Sequence, residues 1–267
     1  MKVLSIGDLH GKDAWKNALN YWRLEAEETY IDQYDKIIFA GDYVDSFDIS
    51  DNNILKNIQE IIDLKIKYPE KVILLWGNHE IQYLFGTKIH GCSGYRPSMW
   101  LSLNMLFKEY RNLFQIAFQI ENYIWTHAGI TSEWFELNIN EKTYIVRDDK
   151  YITNLPIDKL DNISDILNFC FEAGHQHIFD CSPYITGGSC RTSGPLWASK
   201  YETRNSPLIG YHQIVGHTRV DEIKHYNNYK DKNTSVTYID CLSIEDDKCY
   251  SIEIKNKKNG KINKKNS

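Results

Sequence analysis

The amino-acid sequence predicts an α/β fold in which two β-sheets are flanked by helices, and three observations carry that expectation. Residues 2–6 (KVLSI), 36–40 (KIIFA) and 71–76 (KVILLW) are short apolar runs, each followed at once by Gly and a polar cluster, as buried strands are. Helical spacing fills the gaps between them, over 13–28 and 52–67. From Tyr211 onward, YHQIVGH, SVTYID and CYSIEI are closely spaced strand patterns that predict a second, more antiparallel sheet.

In chain order, strand, helix, strand, helix, strand implies right-handed crossovers and a parallel first sheet. Within 52–67 the apolar positions Ile54, Ile58, Ile61, Ile62 and Leu64 recur at helical spacing, and Pro69 stops the helix. Residues 98–109 are expected to be helical and 114–126 strand-like, whereas 138–210 reads as irregular. With no internal repeat or linker, residues 1–254 are expected to form a single domain, followed by a basic, disordered tail over 255–267.

Composition narrows the function classes. The 267 residues are 42% hydrophobic and 13% aromatic, enough for a sizeable core. No apolar run of about 18 residues could span a bilayer, and the N-terminus lacks the apolar core of a signal peptide, so a cytosolic protein without membrane attachment is expected. The six cysteines (Cys92, Cys170, Cys181, Cys190, Cys241, Cys249) form no CxxC pair, which favours thiols over disulfides or a thiolate cluster. Net charge is −5, and the tail from Lys255 carries six Lys and no acid, leaving −11 on the rest. Such a body is a poor general nucleic-acid binder.

The polar clusters hold the chemistry. GDLHG follows the first strand, GDYVD the second and GNHE the third, while THAG and VGHT follow later ones. Open α/β sheets present ligand groups at the carboxyl ends of their strands, so Asp8, His10, Asp42, Asn78, His127 and His217 are expected to converge. Taken singly, each also reads as a turn, cap or core residue; five motifs in order, each after a strand, do not. Carboxylate, imidazole and amide oxygen suit Mn²⁺, Fe or Zn²⁺. Six such groups exceed one tetrahedral ion but fit two ions about 3.5–4 Å apart, the pair that clamps both reacting oxygens in phosphoryl hydrolysis.

With these motifs quoted, the chain resembles the calcineurin-like metallophosphoesterases, and within them the phosphoprotein-phosphatase branch that includes bacterial and phage enzymes and diadenosine tetraphosphatase relatives. The match covers residues 7–218. The resemblance implies an αββα sandwich of two packed mixed sheets. It implies two divalent metal ions, with Asp8 and His10 on the first, Asp42 bridging, and Asn78, His127 and His217 on the second. It also implies a catalytic pair, His79 and Asp45. His79, oriented by the Asp45 carboxylate, protonates the leaving group after a metal-activated hydroxide attacks phosphorus. Glu80 either holds the loop or begins the next helix.

Two departures matter. Phosphodiesterases of the superfamily often read Gly-His-x-His, but here the sequence is Gly216-His217-Thr218-Arg219, and Arg219 cannot ligate a metal. The family's GDxVDRG reads GDYVDSFD, so Ser46 stands where a phosphate-gripping Arg usually does. Other cations are expected to take over, with Arg96, Arg191 and Arg204 as substrate-binding candidates and Lys200 nearby. Tyr43, Tyr95, Trp100 and Trp197 are candidates for the cleft wall. Three functions compete: a phosphomonoesterase acting on phosphorylated substrates, phosphoserine or phosphothreonine proteins among them; a nucleotide or dinucleoside-polyphosphate hydrolase of the Ap4A type; and a catalytically silent scaffold. Retention of all six ligands and His79 speaks against the third.

Overall fold

Both faces of the first strand must be covered, because in β1 (Lys2–Ile6) the alternating pairs Val3/Ser5 and Leu4/Ile6 are all buried. The structure, a computed structural model, describes residues 1–20, 30–85, 91–140, 144–145, 152–153, 162–181, 192–242 and 248–255. After β1 come α1 (Trp15–Ala18), β2 (Lys36–Phe39), α2 (Asp51–Lys67), β3 (Val72–Leu75), α3 (Asn78–Phe85) and α4 (Trp100–Glu109). The chain continues through β4 (Phe114–Gln115), β5 (Ala117–Ile120), β6 (Tyr123–Thr126), α5 (Ser132–Phe135), a ribbon of β7 (Tyr144–Ile145) and β8 (Ile152–Thr153), and α6 (Ile163–Glu172). It closes with α7 (Lys200–Asn205), β9 (His212–Val215), β10 (Lys224–Asn227), β11 (Ser235–Tyr238) and β12 (Tyr250–Glu253).

Among the described residues these strands form two five-stranded mixed sheets. The first runs β12-β1-β2-β3-β4, parallel except for β12; the second runs β10-β11-β9-β6-β5, with a parallel centre and antiparallel edges. On the outer side of the first sheet, Ile54, Ile58, Ile61 and Ile62 of α2 share a core with Leu4, Ile6, Ile37, Phe39 and Leu74. On the second, Asn168 of α6 accepts the N–H groups of Ile116 and Ala117 at 2.8 and 3.0 Å. Between the sheets Val3, Ile38, Ile73 and Leu75 meet Trp125 and Ile214, and Trp125 Nε1 donates to Ser5 Oγ at 2.9 Å. The result is the αββα sandwich.

Several expectations change. CYSIEI does not join the second sheet: as β12 it pairs antiparallel to β1, Val3 opposite Ile252, and makes the first sheet mixed. The strand-like stretch 114–126 is three strands, since Glu121 turns the chain at φ 52° and β4 belongs to the first sheet while β5 and β6 belong to the second. In the expected helix 13–28 only Trp15–Ala18 is helical among the described residues, which end at Asn20 with φ 46°; residues 21–29 lie outside them. The stretch read as irregular contains α6 and α7. Apart from Lys255, the tail lies outside the described residues. No helix among the described residues is long and apolar enough to cross a membrane.

Candidate functional site

Both sheets end their parallel strands on the same side, and the loops that follow meet there. Asp8 and His10 follow β1, Asp42 and Asp45 follow β2, Asn78 and His79 open α3 after β3, His127 follows β6 and His217 follows β9. Four of these residues hold left-handed backbones: His10 (φ 47°), Asp42 (φ 53°), Asp45 (φ 62°) and His217 (φ 58°). For a residue with a Cβ this is strained, and such strain collects at functional sites. The glycines before two of them are needed for room. A Cβ on Gly41 (φ 100°) would lie 2.9 Å from His127 Nδ1, and one on Gly216 would collide with the Asp8 carboxylate.

Six predicted groups come together. His127 Nε2 lies 2.8 Å from Asn78 Oδ1 and 3.3 Å from Asp42 Oδ2, and His217 Nδ1 lies 3.2 Å from the same Asn78 oxygen. Asp42 Oδ2 also faces His79 Nε2 at 3.7 Å and His10 Nε2 at 4.0 Å. The Asp8 carboxylate accepts the His217 backbone N–H at 2.8 and 3.1 Å. Two donor groups capable of holding a cation thus share Asp42: His10, Asp42 and His79, and Asp42, His127 and His217.

The donor set fits divalent cations. His127 gives its Nδ1–H to the Ala40 carbonyl at 2.7 Å, and His10 Nδ1 lies 3.3 Å from the Val44 carbonyl, which turns each Nε2 inward. Asn78 Nδ2 donates to Cys92 Sγ at 3.2 Å, which turns Oδ1 inward too. Burial, reinforced by the charge of His127, lowers the His217 imidazole to about 3, leaving it neutral. Burial alone would raise the Asp42 carboxyl, but His127, His79 and His10 hold it well below the usual range. Asp8 is pushed well above it by burial and the carboxylates of Asp240 and Asp42. Ring nitrogens, an amide oxygen and carboxylates therefore crowd one point, an arrangement that protons on the imidazoles or a divalent cation would each relieve.

Beside this cluster stands the predicted pair. His79 Nδ1 lies 2.9 Å from Asp45 Oδ2, and Asp45 also accepts from Gln82 and from the Tyr83 hydroxyl. Burial opposes a charge on His79, but Asp42 and Asp45 outweigh it and raise the imidazole to about 9. Gln82 and Tyr83 were missed from sequence, although they sit three and four residues after His79 on α3, the spacing that shares a helix face. Glu80 does hold the loop as well as opening the helix. Its fully buried carboxylate accepts the N–H groups of Asp42 (2.9 Å), Tyr43 (2.8 Å), Val44 (3.3 Å) and Gly77 (3.0 Å).

The cleft over these groups has a volume of about 700 Å³, and Trp197 lines it as expected of a wall residue. Arg96 is not among the lining residues: its guanidinium is taken up by the Asp51 carboxylate and by the backbone carbonyl of the lining residue Ser46. Arg204 stacks on Tyr226, 4.2 Å from the ring centre, in a separate pocket, and Lys200 lies over Tyr226 and Tyr238. Arg191 lies outside the described residues. Tyr43 is a core residue that donates to the Leu75 carbonyl at 2.9 Å, Tyr95 packs on Tyr83, and Trp100 sits on α4 outside the lining. Sequence reading also missed Asp240, Arg219 and Phe47 as lining residues. Asp240 had the same signal as the others, a carboxylate just past a strand, and burial raises it to about 6.

Comparison with known proteins agrees with this geometry. Over 89 residues the chain is 33% identical to the serine/threonine-protein phosphatase SIT4 of Candida albicans, covering 33% of this chain and 26% of that one. Over 137 residues it is 34% identical to the serine/threonine-protein phosphatase BSL2 of Arabidopsis thaliana, covering 47% and 12%. The matched part thus spans about a quarter or less of these relatives' lengths. Among solved structures, a cold-active protein tyrosine phosphatase shares the fold, with TM-score 0.50 and 21% identity over 94% of this chain and 73% of that one. The profile of the calcineurin-like phosphoesterases matches residues 1–228, the span that holds all five strand-end motifs, and the chain belongs to that family.

Proposed function

We propose that the protein is a dinuclear metal-dependent phosphatase that hydrolyses phosphomonoesters, with phosphoserine and phosphothreonine proteins as its substrate class. The observation that carries this reading is the convergence of the His10, His127 and His217 imidazoles on the single Asp42 carboxylate, with the His79–Asp45 pair against it, at one open cleft. The serine/threonine phosphatase names of its relatives support the substrate class.

Asp8, His10 and Asp42 would hold one cation, and Asp42, Asn78, His127 and His217 the other, with Mn²⁺ the best match to the donors and Fe or Zn²⁺ also suited. Such ions supply Lewis-acid charge that acidifies water and draws phosphate oxygens. The chain's residues supply the rest. Asp42 and Asn78 face inward because α3 and Cys92 fix them. His79 keeps Nδ1 on Asp45, which leaves Nε2 to give a proton to the departing ester oxygen. Asp45 keeps its own place through Gln82 and Tyr83.

A second reading, a nucleotide or dinucleoside-polyphosphate hydrolase, draws on Phe47, which is 84% exposed at the cleft and offers a ring face to a base. Hydrolysis of p-nitrophenyl phosphate, of phosphoserine, phosphothreonine and phosphotyrosine peptides, and of Ap4A, each with Mn²⁺ and with chelator, tests both. Turnover of the phosphopeptides that chelator abolishes is expected. Preference for Ap4A would favour the second reading, and no turnover of any ester under any metal would overturn both.

A further inference from the structure

A phosphate ester is held more strongly when a guanidinium supplements metal ions, and the loop after β2 does not present one. Ser46 Oγ donates to Asp48 Oδ1 at 2.8 Å, its carbonyl is taken by Arg96, and Arg96 in turn is held by Asp51. The rim formed by the β2 loop therefore presents the Asp48 carboxylate and the Phe47 ring rather than a guanidinium. Lys12 lines the same rim, where its charge falls on Asp48.

The second sheet also contributes to the lining. There Arg219 stands two residues after His217, lines the cleft with His10, His217 and Asp240, and is solvent-exposed. Among the described residues it is the one arginine of the lining, and it has no hydrogen bond or ion pair there. Its charge reaches the buried Asp240 carboxyl beside the metal-donor groups. A planar guanidinium with free donors beside a cluster of cation-holding groups is suited to two phosphate oxygens at once.

We propose that Arg219 is the phosphate-gripping residue of this cleft, delivered from the loop after β9 instead of the loop after β2. The proposal deepens the phosphatase reading and rests on it for the ester, while the recognition of phosphate itself stands on the cleft's geometry. Placing the grip on the second sheet leaves the β2 rim, with Phe47, free to meet the organic part of the substrate.

Inorganic phosphate is the probe that separates the two ideas. Its binding to the Mn²⁺-loaded protein would be measured by calorimetry for wild type, Arg219→Ala, Arg219→Lys and Arg204→Ala, with metal content and p-nitrophenyl phosphate kinetics in parallel. Arg219→Ala is expected to weaken phosphate about ten- to a hundredfold, the loss of a charged hydrogen bond, and to raise KM at unchanged metal content. Arg219→Lys should recover part of the affinity, and Arg204→Ala should match wild type. Wild-type phosphate affinity in Arg219→Ala overturns the proposal even if esters are still hydrolysed, and so does loss of metal in that variant, which would show action through His217. Phosphate binding that depends on Arg219 in a protein that turns over no ester would uphold it while removing the phosphatase reading.

Discussion

Asp42 divides its carboxylate between two tasks. Oδ1 accepts the His79 backbone N–H at 3.2 Å, at the positive N-terminal end of α3, while Oδ2 faces the imidazoles of His127, His79 and His10. A neutral amide keeps the shape but loses the charge that both cation sites would share. Asp42→Asn is therefore expected to bind less than one Mn²⁺ per chain and to lose activity, read by elemental analysis beside turnover; two ions retained with near wild-type turnover would refute the bridging role. His79 differs because its Nδ1 is committed to Asp45. His79→Asn should lower kcat by about 10²–10⁴ with metal content intact, and the loss should shrink for p-nitrophenyl phosphate, whose leaving group needs little protonation. Metal loss in this variant would make His79 a ligand instead.

At the scale of elements, α3 and the loop after β2 are a single unit held by Glu80. Four backbone N–H groups end on that one buried carboxylate, so Glu80→Ala would strand donors at about 1–3 kcal/mol each if they stay dry. The loop would release Asp42, and the variant should lose both thermal stability and metal. Ile58→Ala in α2 is the comparison. It removes a fully buried side chain from the outer core and should cost about 2–5 kcal/mol by urea unfolding, yet keep its metal stoichiometry, because Ile58 packs in the apolar core and supplies no polar group to the site. Equal metal loss in the two variants would show that general destabilisation, and not Glu80, governs the site.

For the whole molecule, the site depends on two sheets keeping their carboxyl ends level. The inter-sheet core of Val3, Ile38, Leu75, Trp125 and Ile214, with the Trp125–Ser5 hydrogen bond, sets that level. Cations bound across the junction would tie the sheets together and favour only the folded chain. Free Mn²⁺ at about a hundred times its Kd adds about 2.7 kcal/mol, enough to raise Tm by several degrees, and chelator should reverse it. An unchanged Tm in calorimetry would mean that the donor groups do not bind the ion.

By itself the sequence determined which polar groups meet at the cleft and the order of the strands that carry them. Those facts are local: an apolar run, a glycine and a polar residue driven into a left-handed turn leave a mark within six positions, as in GDYVD and VGHT. The short helices of 162–205 and the edge strand β10 left weaker marks, since KHYN has exposed positions and little apolar alternation. Only the tertiary structure decided that β12 closes the first sheet, that Asp240 joins the cleft, and that Arg96 serves Ser46 and Asp51 while Arg219 faces the site. A strand pattern states a periodicity without naming its partner, and a long side chain's direction is set by whichever carboxylate or carbonyl the fold brings within reach. Those partners lie tens to hundreds of residues away along the chain, where no local pattern records them.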